Sequence, residues 1–123
     1  RSDLATQKLF ALVAAMAYDT LFFDFVYEVI REKMILGTTE LSDSDVRVFF
    51  KDKQQQNEKV AGWTDATLVR LGRCYKTMLY EAGVIDKAKT ARKILRPILD
   101  PELVRWLNQN DMGVYVKALA GVR

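Results

Sequence analysis

The sequence predicts a mainly α-helical fold, a bundle of about six helices with a small β-hairpin in its C-terminal half. Apolar residues recur at three- and four-residue steps through most of the chain, which is the spacing of an amphipathic helix. Capping residues and glycines separate these segments and set their ends. One stretch after residue 83 loses the helical period, which favours a hairpin there. We expect a single helical domain over residues 1–123.

The first two helices are predicted to form much of the core. The first begins near Ser2 and Asp3 and runs to about Ala17, and its second half is apolar on all sides. The second begins after Asp19, whose carboxylate can accept free backbone N–H groups, and ends at Gly37. Its apolar residues cover a wide arc, so we expect this helix to be the most buried.

Two carboxylates of the second helix, Asp24 and Glu28, lie one turn apart. In principle, such a pair could hold a metal ion or act in acid–base chemistry. The interpretation that we favour is a solvated polar stripe, with Arg31 and Glu32 completing ion pairs on the same helix.

The third helix is predicted to begin at Ser42, a capping residue followed by two acids in the first turn. Its core face consists of Val46, Phe49 and Phe50. Residues 51–59 read KDKQQQNEK, a polar tract of low complexity that we interpret as a frayed helix end and a loop.

The fourth helix has the clearest pattern. Thr64 can cap its first turn, and Gly83 supplies the left-handed residue that commonly ends a helix. One apolar stripe is formed by Leu68, Leu71, Tyr75, Met78, Leu79 and Ala82. On the opposite face lie Arg70, Arg73 and Thr77, with Lys76 at the margin.

After this helix we predict a hairpin with one strand at Val84–Ile85, a basic tip and a return strand around Lys93–Arg96. A helix followed by such a hairpin is the layout of a winged helix-turn-helix. In that layout the second helix meets DNA and the hairpin, or wing, touches the backbone. The alternative is that Ala88–Leu95 forms a further turn or two of helix.

Two more helices complete the predicted bundle. Asp100 and Pro101 are a typical helix opening, a cap followed by proline at the first helical position. The apolar side of this helix consists of Leu103, Val104, Trp106 and Leu107. The last helix starts at Asn110 or Asp111 and ends near Gly121.

The composition argues against an enzyme. The chain has no histidine, so it offers neither a Ser/His nor a Cys/His nucleophile pair. Cys74 is the single cysteine, which excludes an intrachain disulfide, and we interpret it as a small core residue rather than a nucleophile. The six glycines match no phosphate-binding or dinucleotide-binding loop. We therefore predict a non-enzymatic protein without a metal, another cofactor or a small-molecule substrate.

The first residue is Arg1 rather than methionine, so we interpret the chain as a fragment or a processed product. The longest uninterrupted apolar run, Leu9–Tyr18, has ten residues. This is below the roughly 18 that a membrane-spanning helix needs. We expect a soluble, cytoplasmic protein that does not bind a membrane.

Positive charge is concentrated in one part of the chain. The net charge is only +3, but residues 64–99 contain eight Lys or Arg against three Asp or Glu, a local charge of +5. The rest of the chain has eleven against thirteen, a charge of −2. A basic surface of this kind attracts the phosphate backbone of nucleic acids whatever the total charge.

The basic segment predicts contacts to duplex DNA rather than to single strands. No aromatic side chain lies within residues 87–96, so bases have no ring there on which to stack. A plain solvated basic surface is the alternative. The candidate DNA-binding residues are Arg70, Arg73, Lys76, Thr77, Lys87, Lys89, Arg92, Lys93 and Arg96.

An ordered set of segments resembles the BrxA family of BREX bacteriophage-exclusion systems. These segments are YDTLFFDFVYEVIREKMIL, VRVFFKDK, WTDATLVRLGRCYKTMLYEAGVID and ILRPILDPELVRWL, which together span most of the chain. The resemblance implies a small, mostly helical, non-enzymatic protein that binds DNA in phage defence, similar to NusB-type helical proteins. It also implies further N-terminal helices, which are missing or reduced here. The family provides no defined catalytic set, so no residue role is transferred from it.

Two functions are consistent with these patterns. The first is a DNA-binding helical module that contacts the duplex backbone through the fourth helix and the basic hairpin. The second is a protein-interaction subunit whose basic surface docks an acidic partner, such as another BREX protein, within the defence complex.

Overall fold

A computed structural model describes residues 4–38, 40–86, 91–95, 99 and 101–121 of the chain. In these residues the chain is mainly helical. The α-helices are α1 (Leu4–Tyr18), α2 (Thr20–Phe25), α3 (Arg31–Leu36), α4 (Asp43–Gln56), α5 (Glu58–Ala61), α6 (Asp65–Glu81), α7 (Pro101–Gln109) and α8 (Gly113–Ala120). A π-helical segment, Val26–Ile30, joins α2 to α3, and two short strands are β1 (Glu40–Ser42) and β2 (Ala91–Lys93). The prediction of a mainly helical fold is confirmed.

The predicted second helix is confirmed as a continuous run from α2 through the π-helical segment to α3. The Asp19 carboxylate caps it by accepting from the backbone N–H groups of Leu21 and Phe22 at 3.1 and 3.2 Å. Gly37 ends it in the left-handed conformation, with φ of 77°. The π-helical segment has no signal in the sequence pattern. It leaves the Tyr27 carbonyl free to accept from the Arg31 side chain at 3.1 Å.

In the described part of the chain, no single helix is both long and apolar enough to span a membrane. The segments Gln7–Tyr18 and Thr20–Leu36 reach the required length and hydropathy only together, and the chain bends by 112° between them.

The prediction that residues 51–59 form a frayed end and a loop is wrong. Helix α4 continues to Gln56, and α5 follows after Asn57. The helix persists because Lys53 lies against the core and is only 8% exposed. At the other end the expected cap is confirmed, since Ser42 and Asp45 form a reciprocal capping box.

Helix α6 begins and ends where the sequence predicts. The Thr64 hydroxyl accepts from the Thr67 backbone N–H at 3.2 Å, and Gly83 adopts a φ of 81°. The predicted apolar stripe faces the core, with Leu68, Tyr75 and Leu79 buried. Cys74 is exposed, so its interpretation as a core residue is wrong. Cys74 lies between the exposed Arg73 and the buried Tyr75 in the chain, and around the helix it falls just outside the buried face.

The chain after α6 turns back as an antiparallel pair of segments. Ile85 pairs with Ile94, and the Leu95 N–H donates to the Val84 carbonyl at 2.7 Å. Strand β2 also pairs in antiparallel register with β1, so that Ser42 lies opposite Ala91. Residues 91–94 are therefore extended and not helical, but β2 begins two residues before the predicted return strand of Lys93–Arg96. The hairpin tip at 87–90 and residues 96–98 lie outside the described residues.

The two C-terminal helices follow the predicted order. Pro101 is the first residue of α7, whereas Asp100 lies outside the described residues. Helix α8 begins at Gly113, slightly later than predicted, and Gly121 ends it. Leu103 is buried as expected, but Trp106 is 45% exposed and rests its edge on Phe10 of α1.

An aromatic cluster forms the centre of the core. The rings of Phe22, Phe25, Phe49, Phe50 and Tyr75 come from α2, α4 and α6 and contact one another at centroid distances of 4.9–5.9 Å. Such tilted and edge-to-face pairs add about 1 kcal/mol each beyond their buried area. The cluster fixes α4 and α6 against the second helix, and so sets the relative position of the two basic helices described next.

Candidate nucleic-acid interface

The outer face of α6 presents the predicted basic residues to solvent. Arg70 and Arg73 are exposed, and neither has an ion-pair partner among the described residues. Lys76 differs from them because its Nζ lies 2.9 Å from an Asp43 carboxylate oxygen of α4 and its side chain is half-buried. Arg70 and Arg73 are thus available to a polyanion, whereas Lys76 already joins two helices.

Thr77 is exposed on the same face, but its hydroxyl donates to the Arg73 carbonyl at 3.0 Å. A hydroxyl has one donor, so the proton of Thr77 is not free for a phosphate oxygen while this bond persists. Of the four candidates on α6, the two arginines are exposed cations without an ion-pair partner among the described residues.

The hairpin contributes one basic side chain that can be described. Lys93 is exposed, and its backbone N–H donates to the Asp86 carboxylate at 2.9 Å. The backbone of Arg92 lies in β2. The remaining candidates, Lys87, Lys89 and Arg96, lie outside the described residues. Because Ala91 lies opposite Ser42, the start of β2 is held beside the N-terminus of α4.

A groove of about 550 Å³ runs between α4 and α6. Its floor is apolar and includes Phe50 and Gly72. The helices approach closely at Gly72, where a Cβ atom would lie 2.9 Å from the Val46 side chain. Four cations and two acids line the groove: Arg47, Lys51, Arg73, Lys76, Asp43 and Asp65.

Arg47 and Lys51 belong to this lining, and the sequence interpretation did not include them among the candidate residues. Both are exposed on α4, one helical turn apart. Their i, i+4 spacing on the polar face of a well-capped helix was the available signal. The sequence pattern predicts a frayed helix end and a loop at Lys51, and Arg47 stands outside the basic segment, so neither residue is among the predicted candidates.

Helix α4 is held in place by Lys53. Its Nζ lies 3.1 Å from an Asp24 carboxylate oxygen and 2.9 Å from a Glu28 carboxylate oxygen. Burial lowers the pKa of the Lys53 ammonium, but the hydrogen bonds that it donates to Glu28 and Asp24, together with the negative charges of these carboxylates, outweigh burial and raise the pKa above its usual value. Asp24 and Glu28 remain partly exposed, as the expected polar stripe requires, and they also pair with a lysine of another helix, which the sequence interpretation did not include.

The remaining ion pair of the predicted stripe is confirmed. The Arg31 guanidinium lies 2.7 Å from Glu32 and stacks 3.9 Å above the centre of the Tyr27 ring. Arg31 is 9% exposed, so it is a structural cation and contributes nothing to the basic surface.

Comparison with known proteins supports the family suggested by the sequence. The profile of the BrxA family matches residues 1–111. The BREX protein BrxA of Bacillus cereus is 40% identical over 119 residues, which cover 97% of this chain and 60% of the relative. The chain therefore spans about three fifths of the length of this curated relative. The chain belongs to the BrxA family.

Proposed function

We propose that this chain is a non-enzymatic component of a BREX phage-defence system that binds duplex DNA in the cytoplasm. The observation that carries the proposal is the pair of exposed arginines on α6, Arg70 and Arg73, without ion-pair partners among the described residues. Two like charges three residues apart on one helix face repel each other by a few tenths of a kcal/mol, and a bound anion would relieve this repulsion.

Binding would act mainly on the phosphate backbone. Each guanidinium that contacts a phosphate releases condensed counterions, which favours association at low salt. The described part of α6 presents no Asn or Gln beside the arginines. These side chains commonly read adenine, so we expect α6 to make no adenine-specific contacts of this kind.

The order of elements supports a winged helix-turn-helix-like arrangement for this function. A long helix is followed by β1, then by α4 and α6, and then by the antiparallel segments that include β2. β1 pairs with β2, the returning part of the hairpin. In this arrangement α6 would lie in or over the major groove and the basic hairpin would contact a neighbouring backbone.

The test is fluorescence anisotropy of a labelled duplex titrated with the wild-type chain and with Arg70→Ala/Arg73→Ala. We expect the double variant to bind more weakly. We also expect the slope of log affinity against log salt to become shallower by about 2, since each phosphate contact contributes about 0.9. Arg105→Ala/Lys117→Ala is the matched control, because it removes two exposed cations from α7 and α8. Equal affinities and slopes for all three proteins would refute the proposal.

The hairpin is tested separately by Arg92→Ala/Lys93→Ala/Arg96→Ala. Weaker duplex binding with a shallower salt slope would assign phosphate contacts to the hairpin. Unchanged affinity and slope would restrict the DNA contact to the helical surface.

The relative's name, a BREX protein, supports a second proposal, that other BREX proteins are partners of this chain. An acidic partner docked on the same basic surface would compete with DNA. The protein-interaction function would be favoured if another BREX protein co-purified with the wild-type chain but not with Arg70→Ala/Arg73→Ala, and if the wild-type chain showed no measurable duplex binding.

A further inference from the structure

We propose that α4 supplies a second row of phosphate contacts, in which Arg47 and Lys51 bind the same DNA backbone strand as Arg73 of α6. This inference rests on the proposed function and extends it to a helix outside the basic segment of the sequence.

The first argument is the position of the charges. Arg47 and Lys51 are exposed, lie one turn apart on α4 and line the groove together with Arg73. None of the three has an ion-pair partner among the described residues. Cations that face each other across one groove repel, so an anion that spans both walls is the natural complement.

The acids in the groove cancel only part of these charges. Asp43 is engaged by Lys76, which closes that pair at 2.9 Å. Asp65 is exposed in the first turn of α6, where it interacts favourably with the positive end of the helix. Four cations against two acids leave the groove with a net charge of +2.

The floor of the groove suits a sugar–phosphate strand. Val69 is 60% exposed and lines the groove beside the cations. A strand laid along the groove would place phosphates at the cationic walls and the carbon atoms of its sugars toward this apolar side chain. Phosphate and sugar contacts of this kind position a protein on duplex DNA without reading its sequence.

Contacts join the two walls before any ligand arrives. Helices α4 and α6 approach closely at Gly72, where a Cβ atom would lie 2.9 Å from the Val46 side chain. The Lys76–Asp43 ion pair ties them together at one end. Arg47 is itself oriented, because its guanidinium donates to the Ser44 hydroxyl at 3.0 Å. Preorganised contacts lose less entropy on binding.

The α4 row also lies next to the hairpin. The pairing of Ala91 with Ser42 holds the start of β2 at the N-terminus of α4, one turn before Arg47. The start of β2 is therefore a neighbour of the N-terminal part of α4, and Lys76 of α6 reaches the same part of α4 through its ion pair with Asp43. A duplex that contacts α6 and the hairpin would pass the α4 row.

The experiment compares four chains in the duplex anisotropy assay across a range of salt: wild type, Arg47→Ala/Lys51→Ala, Arg70→Ala/Arg73→Ala and the control Arg105→Ala/Lys117→Ala. For the α4 variant we expect at least a threefold loss of affinity beyond the control and a salt slope shallower by about 2. Arg47→Lys/Lys51→Arg keeps both charges and should retain the wild-type slope. Urea unfolding tests whether each variant is folded. If Arg47→Ala/Lys51→Ala is not folded, Arg47→Gln/Lys51→Gln takes its place in the assay.

The outcomes separate the two proposals. If the α6 variant loses affinity while the α4 variant matches the control, this inference is overturned and the proposed function stands. If the wild-type chain does not bind the duplex, both are overturned. If the α4 variant keeps its duplex affinity but loses binding to poly-glutamate, the groove belongs to an acidic protein partner, which also overturns the inference.

Discussion

Replacement of Lys53 by methionine should destabilise the fold without touching the proposed DNA surface. Lys53 is 8% exposed, and its ammonium group bridges Asp24 and Glu28 at 3.1 and 2.9 Å. Methionine keeps much of the aliphatic volume but loses the ammonium group, which also lies 5.6 Å from the centre of the Phe49 ring. The variant therefore isolates the loss of charge, which leaves two carboxylates at the surface of the core without their cation.

The expected cost follows from the exposure of the two carboxylates. Removal of one partner from a fully buried ion pair costs about 3–5 kcal/mol. An exposed pair is worth at most about 1 kcal/mol. The side chains of Asp24 and Glu28 retain 29% and 47% of their exposure, so water replaces part of the lost interaction. We expect Lys53→Met to lower the free energy of unfolding by about 2 kcal/mol at pH 7.

The pH dependence gives an independent signature. The pKa of Lys53 is raised in the folded state, so its contribution to stability is complete below the unfolded pKa of 10.5. That contribution is lost as the pH rises through the higher folded value. The stability difference between wild type and Lys53→Met should therefore be constant near neutral pH and shrink above about pH 10.5.

The measurement is urea unfolding followed by circular dichroism, at pH 7 and at alkaline pH. Lys51→Met is the matched control, because Lys51 is exposed on the same helix and has no ion-pair partner among the described residues. We expect its effect to stay within about 0.5 kcal/mol. If Lys53→Met were no more destabilising than Lys51→Met, the proposed anchoring of α4 by this ion pair would be incorrect.

Three further substitutions test other parts of the structure by the same unfolding measurement. The buried hydroxyl of Tyr75 makes no hydrogen bond of good geometry among the described residues, although burial and the nearby Asp19 carboxylate raise its pKa. Tyr75→Phe should therefore leave stability unchanged or raise it by about 1 kcal/mol, and a clear loss would identify Asp19 as a hydrogen-bond partner. Gly72→Leu should cost more than about 2 kcal/mol because a Cβ atom at Gly72 would lie 2.9 Å from the Val46 side chain, and a neutral result would contradict that close approach. Ser42→Ala should cost about 1 kcal/mol through the lost cap. Burial raises the pKa of Asp45, but its hydrogen bonds with Ser42 and Lys33 and the charge of Lys33 outweigh burial and lower the pKa below 3.8. The stability that Asp45 contributes is therefore present above pH 3.8 and is lost as the pH falls through the folded-state pKa. The difference in unfolding free energy between wild type and Ser42→Ala should accordingly become smaller in acid.

The sequence predicted the helices well because their signals are local. The caps at Asp19, Ser42 and Thr64 and the left-handed glycines Gly37 and Gly83 each act within one turn of the chain. The return of the hairpin was also predictable in outline, since residues 91–94 carry no helical period and are extended.

The remaining features depend on contacts between distant parts of the chain. Strand β1 forms only because β2 pairs with it some fifty residues later. The composition of the polar tract after Phe50 predicts a loop. The helix continues there because Lys53 pairs with the carboxylates of Glu28 and Asp24, which lie 25 and 29 residues earlier in the chain. The groove between α4 and α6 likewise requires a crossing of two helices, which periodicity within one helix does not specify. Arg47 and Lys51 were therefore outside the reach of the local charge count.

Helix α4 is where the charges of the fold divide into two classes. Three contacts tie it to its neighbours: Lys33 to Asp45 at 3.1 Å, Lys76 to Asp43 at 2.9 Å, and Lys53 to the second helix. These pairs are partly buried, so salt should weaken them little. Arg47 and Lys51 have no such partners among the described residues, and any phosphate contact that they make is exposed to salt. Raising the salt concentration should therefore release a bound duplex, because the exposed Arg47 and Lys51 would contact phosphates in water. The urea midpoint of unfolding should stay nearly constant, because the acids that pair with α4 or belong to it are in partly buried ion pairs.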